Sequence, residues 1–148
     1  MTEKFKIYYP AGMRVFGEAL ERDCQAKRYN PDTDIYKKVL FIGLYSIEDY
    51  KIFAEHQGRK AIFWNGSDVS ILKEEPAYQE ILRAQPRITH ATHNEQLQKE
   101  LEELGIEAVI APIFFGDKNA IKPSFIPGEI TEFYMTMHPG REEEYGLT

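Results

Sequence analysis

The most informative pattern in the chain is an apolar run at residues 39–45, VLFIGLY, in which apolar positions do not alternate with polar ones. A strand of this kind is apolar on both faces and must be covered on both, as in a parallel sheet flanked by helices. Shorter strand-like runs follow at residues 61–64, 88–92 and 108–111, each after a helical segment. This alternation predicts an α/β fold, a Rossmann-like parallel sheet with helices on both faces in three layers.

Helix signals lie between the predicted strands. Residues 12–27 are expected to form a helix with Val15 and Ala19 facing the core. Residues 46–49 have the pattern of a capping box, and the helix that they open is expected to stop near Gly58, in a left-handed conformation. A second capping box is predicted at residues 92–95, before a helix that Gly105 closes.

The last part of the chain differs from the rest in composition. Residues 112–129 are rich in proline and glycine, which is typical of a loop or linker. We therefore predict a Rossmann-like domain over residues 1–129. Residues 130–148 are expected to form a linker and the first strand of an otherwise absent second domain.

Composition narrows the classes of function. The chain has 148 residues and a net charge of −6, which argues against a nucleic-acid partner because phosphate contacts need clustered cations. Cys24 is the only cysteine, so neither an internal disulfide nor a cysteine-based zinc site can form. The first residues lack an apolar signal core, and no run reaches the roughly 18 apolar residues of a membrane span. A cytoplasmic protein without a membrane span is the expectation.

The candidate chemistry follows the strand at residues 60–64. Asn65, Gly66, Ser67 and Asp68 combine an amide, a flexible glycine, a hydroxyl and a carboxylate directly after Trp64. Such mixtures bind sugars through hydrogen bonds to hydroxyls and stacking on the aromatic ring. The alternative interpretation is that Ser67 or Asp68 only caps the next helix while Trp64 fills the core.

Other site types have little support in the sequence. His93 follows the next predicted strand, so it should lie at the same sheet edge as Asp68 and face the same concave surface. With His90 it could form part of a metal site, but no carboxylate completes the set, and no metal is predicted. Neither a Gly-x-Gly-x-x-Gly motif nor a P-loop motif occurs, so no cofactor is predicted and the catalytic residues stay unknown.

Part of the chain resembles the N-terminal domain of two-domain (GT-B type) glycosyltransferases, in which a Trp-x-Gly-Ser-Asp loop follows a strand. The resemblance is carried by residues 39–45, Asp49, Tyr50 and residues 61–69. The resemblance covers residues 35–148. It implies a domain that holds a sugar or glycoside acceptor, while a nucleotide-sugar donor would bind only to the second domain. It also implies that the chain alone, as a fragment or a short homologue, does not transfer sugar. The alternative is a non-enzymatic, flavodoxin-like module that binds a small ligand or a protein.

Overall fold

The computed structural model describes residues 5–85 and 87–111. These residues form six strands and five helices, with a short 3₁₀ turn at Ala11–Met13. The strands are β1 (Lys6–Tyr8), β2 (Lys27–Arg28), β3 (Val39–Ile42), β4 (Lys60–Trp64), β5 (Thr89–Thr92) and β6 (Ala108–Ile110). The helices are α1 (Arg14–Cys24), α2 (Ile47–Glu55), α3 (Ser67–Glu74), α4 (Pro76–Arg83) and α5 (Glu95–Glu103).

The strands form one parallel sheet in the order β2-β1-β3-β4-β5-β6. The strand β3 is central, as its doubly apolar sequence predicts, and three of its four side chains are buried. Phe41 pairs with Ile62 in β4, and Trp64 pairs with Thr92 in β5, so strand ends are level across the middle of the sheet. The predicted three-layer, Rossmann-like α/β fold is confirmed.

The two faces of the sheet carry separate cores. On one face, Phe41, Ile62 and Trp64 pack against residues of α2, α3, α4 and α5, and we call this the four-helix face. On the other, Ile42 and Phe63 belong to a smaller core with residues of β1 and α1, which we call the α1 face. The asymmetry follows from the strand order, because right-handed crossovers that move in opposite directions across a sheet lie on opposite faces.

The helix α1 differs from its prediction in length and in phase. It begins at Arg14 after the 3₁₀ turn, and Val15, predicted to face the core, is 77% exposed. Ala19 is buried as predicted, together with Gly17 and Leu20. A Cβ on Gly17 would lie 2.1 Å from the Tyr9 ring, so the missing side chain lets α1 approach β1 closely. The inward face therefore contains a glycine, which an apolar pattern does not reveal.

The start of the helix α2 agrees with prediction, and its end does not. Ser46 caps α2, with the reciprocal bonds of a capping box to Asp49, as predicted. The end of α2 was predicted wrongly: the helix stops at Glu55, with His56 in an extended conformation and not a left-handed Gly58. Gly58 instead lies where a Cβ would be 2.2 Å from the Lys37 carbonyl oxygen.

The later boundaries agree in part with prediction. The capping box predicted at residues 92–95 is wrong, because Thr92 ends β5 and its hydroxyl donates to the Trp64 carbonyl. The α5 cap is Asn94, which accepts from the Leu97 N–H, and position three of that helix is a leucine that cannot return the bond. Gly105 has the left-handed φ of 78° expected of a residue that closes a helix.

The strand β2 was not predicted. It consists of two exposed charged residues, Lys27 and Arg28, which pair with β1 at the sheet edge. The predictions for residues 112–129 and 130–148 lie outside the described residues. Within residues 5–85 and 87–111, no helix has the length and apolar character needed to cross a membrane.

Candidate functional site

The strand order identifies one position where a ligand crevice is expected. The chain leaves β1 toward β2 in one direction, whereas β3, β4, β5 and β6 follow one another in the opposite direction. In open α/β sheets, ligands bind at the carboxyl edge where this reversal occurs. Here that switch point lies between the loop after β1, at Tyr9 to Met13, and the loop after β3, at Gly43 to Ser46.

A buried carboxylate organises the loop after β3. One oxygen of Asp49 accepts the backbone N–H groups of Tyr45 and Ser46, at 2.9 and 3.0 Å. Its other oxygen accepts the hydroxyl of Tyr8, at the end of β1. Burial and this hydrogen bond to a carboxylate together raise the pKa of the Tyr8 phenol above its usual value. Asp49 thus fixes the two loops of the switch point to each other.

A second buried carboxylate organises the loop after β4 in the same manner. The Asp68 side chain is fully buried and accepts the backbone N–H groups of Asn65, Gly66 and Val69 at 2.8–3.2 Å. Burial raises the pKa of the Asp68 carboxyl to about 6, although the backbone donors act in the opposite direction. Its oxygens are already hydrogen-bonded to the backbone of this turn, so the role of Asp68 is to fix the conformation of the loop.

Two glycines allow the loops after β3 and β4 to approach each other. Gly43 has φ of 78°, and a Cβ there would lie 2.9 Å from both Asn65 Nδ2 and Asp68 Oδ2. Gly66 has φ of 134°, a conformation that residues with a side chain rarely adopt, and the space beside its Cα is open. Gly43 therefore permits close contact between the loops, and Gly66 permits the turn that exposes Ser67.

The side chain of Tyr45 connects these loops at the carboxyl edge. Its hydroxyl lies 3.6 Å from Met13 Sδ, at the start of α1. Burial raises the pKa of the same phenol, and the neighbouring Ser67 and Asn65 side chains lower it by less. Tyr45 and Asn65 also meet at Gly43, where a Cβ would lie 2.5 Å from the Tyr45 ring and 2.9 Å from Asn65 Nδ2. A phenol, a hydroxyl and an amide therefore lie together, with Tyr45 and Asn65 half-buried and Ser67 exposed. We call Tyr45, Asn65 and Ser67 the polar cluster.

Trp64 lies beneath this edge and not in it. Its side chain is fully buried, and its indole N–H donates to His90 Nδ1 across 3.0 Å. Burial lowers the pKa of His90 to about 4, so the ring is neutral at pH 7 and carries its proton on Nε2. The Trp64 ring has no exposed surface on which a sugar could stack. Its packing matches the alternative in which Trp64 fills the core.

His93 lies at the same edge, away from the polar cluster. Its half-buried ring packs edge-on against Phe63, with centroids 4.9 Å apart, on the α1 face. Asp68 lies in the first turn of α3, which packs on the four-helix face. The predicted residues Asn65, Gly66, Ser67 and Asp68 thus form one loop, while His93 occupies the neighbouring strand end on the other side of the sheet.

Sequence reasoning missed Tyr45, Met13 and the pair formed by Tyr8 and Asp49. The signal for Tyr45 was present, because it follows β3 as Asn65 follows β4, and both strand ends lie at one edge. No signal linked Tyr8 to Asp49, since the contact joins residues 41 positions apart.

Comparisons with known proteins assign no family. The chain matches no protein-family model, no curated protein and no solved structure. In the described part of the chain, no group of three or more His, Cys, Asp or Glu side chains could hold a metal ion.

Proposed function

We propose that the chain is the acceptor-side domain of a glycosyltransferase and that the polar cluster binds hydroxyl groups of a sugar or glycoside. The observation that carries the proposal is the meeting of Tyr45, Asn65 and Ser67 beside the switch point. These groups can donate and accept hydrogen bonds while remaining uncharged, which suits a neutral polyol. The sequence resemblance to GT-B type N-terminal domains supports the same class.

The architecture of the loops supports this use. Asp49 and Asp68 hold the two loops through backbone N–H groups, so the cluster is fixed before a ligand arrives. A preorganised site loses less conformational entropy on binding. In this proposal Asp68 positions Asn65 and Ser67, and His93 contacts a ligand only if the ligand extends toward β5.

Sugar transfer would also need a donor site. In the enzymes that this chain resembles, the nucleotide-sugar is held by a second domain, and catalysis depends on positioning it against the acceptor. We therefore expect the chain alone to bind sugars weakly, with a dissociation constant on the order of millimolar, and not to transfer them.

The test is an NMR titration of the ¹⁵N-labelled chain with monosaccharides, alkyl glycosides and nucleotide-sugars. We expect saturable shifts of the Gly66 and Ser67 amides. Tyr45→Phe and Ser67→Ala each remove one hydroxyl and should weaken binding by roughly five- to tenfold, because a neutral hydrogen bond contributes about 1 kcal/mol. Ser70→Ala, on the exposed side of α3, is the matched control and should change nothing.

The competing function is a non-enzymatic, flavodoxin-like module. If no sugar produces saturable shifts, or if Ser70→Ala weakens binding as much as Ser67→Ala, the glycosyltransferase proposal fails. The small-ligand or protein-interaction module would then be the better account.

A further inference from the structure

The opposite edge of the sheet, where the strands begin, contains a second concave surface. A cavity of about 600 Å³ lies between the residues that precede β4 and those that precede β5, with Arg59, Lys60 and Arg87 in its lining. A second cavity of about 310 Å³ is its neighbour, because Arg59, Lys60 and Thr89 line both. We call the surface that comprises these two cavities the amino-edge groove.

The charge of the groove is unlike that of the protein as a whole. The chain has a net charge of −6, yet none of the described residues that line the groove is acidic. Some exposed cations elsewhere have close carboxylates, as in the pairs of Arg14 with Glu18 and Lys73 with Glu100. Within the described part of the chain, Arg59 and Arg87 have no ion pair of this kind. The groove therefore concentrates positive charge that the protein does not neutralise.

Lys60 holds its charge in a half-buried position. Its ammonium donates to the Phe53 carbonyl and to Gln85 Oε1, both at 2.6 Å, and lies 4.6 Å from the centre of the Phe53 ring. These acceptors are neutral and use two of its three N–H groups. Burial lowers the pKa of Lys60, because no nearby carboxylate compensates for the lost solvation. An anion in the groove would supply the missing charge.

The backbone conformation of Arg87 is unusual. It has a left-handed conformation with φ of 57°, which is unfavourable for a residue with a side chain. Such conformations often occur at ligand-binding positions, where they fix the direction of a side chain. Arginine is suited to phosphate because its planar guanidinium can donate two parallel hydrogen bonds.

The smaller cavity differs in character. Its lining includes Phe5, Leu40 and Ala61 on the α1 face, together with Lys38. Because it shares three lining residues with the basic cavity, one ligand could place a charged group in the larger cavity and an apolar group in the smaller one. Inorganic phosphate would use only half of such a surface.

We propose that the amino-edge groove binds an organic phosphate, with its phosphate at Arg59, Lys60 and Arg87 and its apolar part against Phe5, Leu40 and Ala61. A nucleotide and a phosphorylated lipid share this chemistry. The inference is independent of the polar cluster, which lies at the other edge of the sheet.

The experiment uses the full ¹⁵N-labelled chain with four probes: hexyl phosphate, AMP, inorganic phosphate and hexanol. Saturable shifts are expected at the amides of Gly58, Arg59, Arg87 and Thr89, and not at Gly66 or Ser67. Hexyl phosphate or AMP should bind about tenfold more tightly than inorganic phosphate, because only the esters cover the apolar part. Tighter binding of hexyl phosphate supports a lipid as the source, and tighter binding of AMP supports a nucleotide.

The variants Arg59→Gln and Arg87→Gln should each weaken binding of the preferred ester by roughly tenfold, since each removes a charge-assisted contact. Arg22→Gln, which removes an exposed cation from α1, is the matched control and should leave affinity unchanged. Thermal unfolding of each variant shows that it is folded. The proposal is overturned if no phosphate shifts these amides, if the two variants bind like the wild type, or if inorganic phosphate binds as tightly as both esters.

Discussion

The two buried aspartates place charge where the chain turns. Asp49 and Asp68 each follow a strand by a few residues, and each accepts backbone N–H groups from the turn above it. The role of Asp49 could be predicted, because the Ser46 capping box is visible in the sequence and is confirmed. The cap predicted as one alternative for Ser67 or Asp68 is wrong, since Gly66 is the N-cap of α3 and Asp68 instead accepts from the turn before the helix. The hydrogen bonds from Tyr8 to Asp49 and from Trp64 to His90 could not be predicted, because they depend on which strands become neighbours.

The raised pKa of Asp68 predicts a definite pH dependence. Its value rises from 3.8 to about 6 in the folded protein, so the folded state binds this proton more tightly than the unfolded state. The contribution of this group to stability is therefore greatest below about pH 4 and is lost as the pH rises through 6. A carboxyl-detected NMR titration should give a midpoint near 6 for Asp68.

The variant Asp68→Asn tests the same carboxylate in another way. The amide keeps one acceptor but brings an N–H₂ group toward backbone donors, which should cost about 1–3 kcal/mol at neutral pH. The variant should also lack the change in unfolding free energy that Asp68 causes between pH 4 and 6. An Asp68 midpoint below 4 in the wild type would instead mean that the backbone donors outweigh burial.

At the scale of elements, agreement with prediction depends on whether a segment is apolar. The strands β3 and β4 coincide with apolar runs and were predicted, whereas β2 is made of Lys27 and Arg28 and has no such signal. The phase of α1 was missed because its contact with β1 uses Gly17, where the absence of a side chain matters more than hydrophobicity. Apolar periodicity therefore locates buried strands well and glycine-mediated contacts poorly.

The helix α5 offers a direct test of burial at this scale. Leu101 is fully buried in the core of the four-helix face, while Leu97 is only partly buried against it. Leu101→Ala should lower the free energy of unfolding by about 2–5 kcal/mol, and Leu97→Ala by less. Glu102→Ala, on the exposed side, is the control and should lie within about 0.5 kcal/mol of the wild type. Equal urea midpoints for Leu101→Ala and Glu102→Ala would contradict the assigned face.

At the scale of the whole molecule, the sheet is covered unequally. Residues of four helices pack on one face, and in the described part of the chain only α1 packs on the other. The edge strand β6 also has two exposed side chains, with Val109 at 57% and Ile110 at 40% exposure. We therefore expect stability to be highest around β3 and β4 and lowest at the two edges.

Native-state hydrogen exchange can measure this gradient. The amides of Ile42 and Phe63, in neighbouring central strands with fully or almost fully buried side chains, should exchange most slowly. The amides of Lys27 and Arg28 in β2 should exchange much faster, because that strand is two residues long and exposed. Uniform protection across β2, β3 and β4 would contradict unequal coverage.

The strand order has a consequence for how the chain reaches this structure. From β3 onward, each strand pairs with the next one in the sequence, so every new ladder closes a loop of only a strand and one or two helices. Among the strands of the described residues, only the pairing of β1 with β3 spans another strand. Short closures are entropically cheaper and speed folding. On the ribosome, where the chain emerges from its N-terminus, β4, β5 and β6 can therefore add one at a time to a nucleus already formed by β1 and β3.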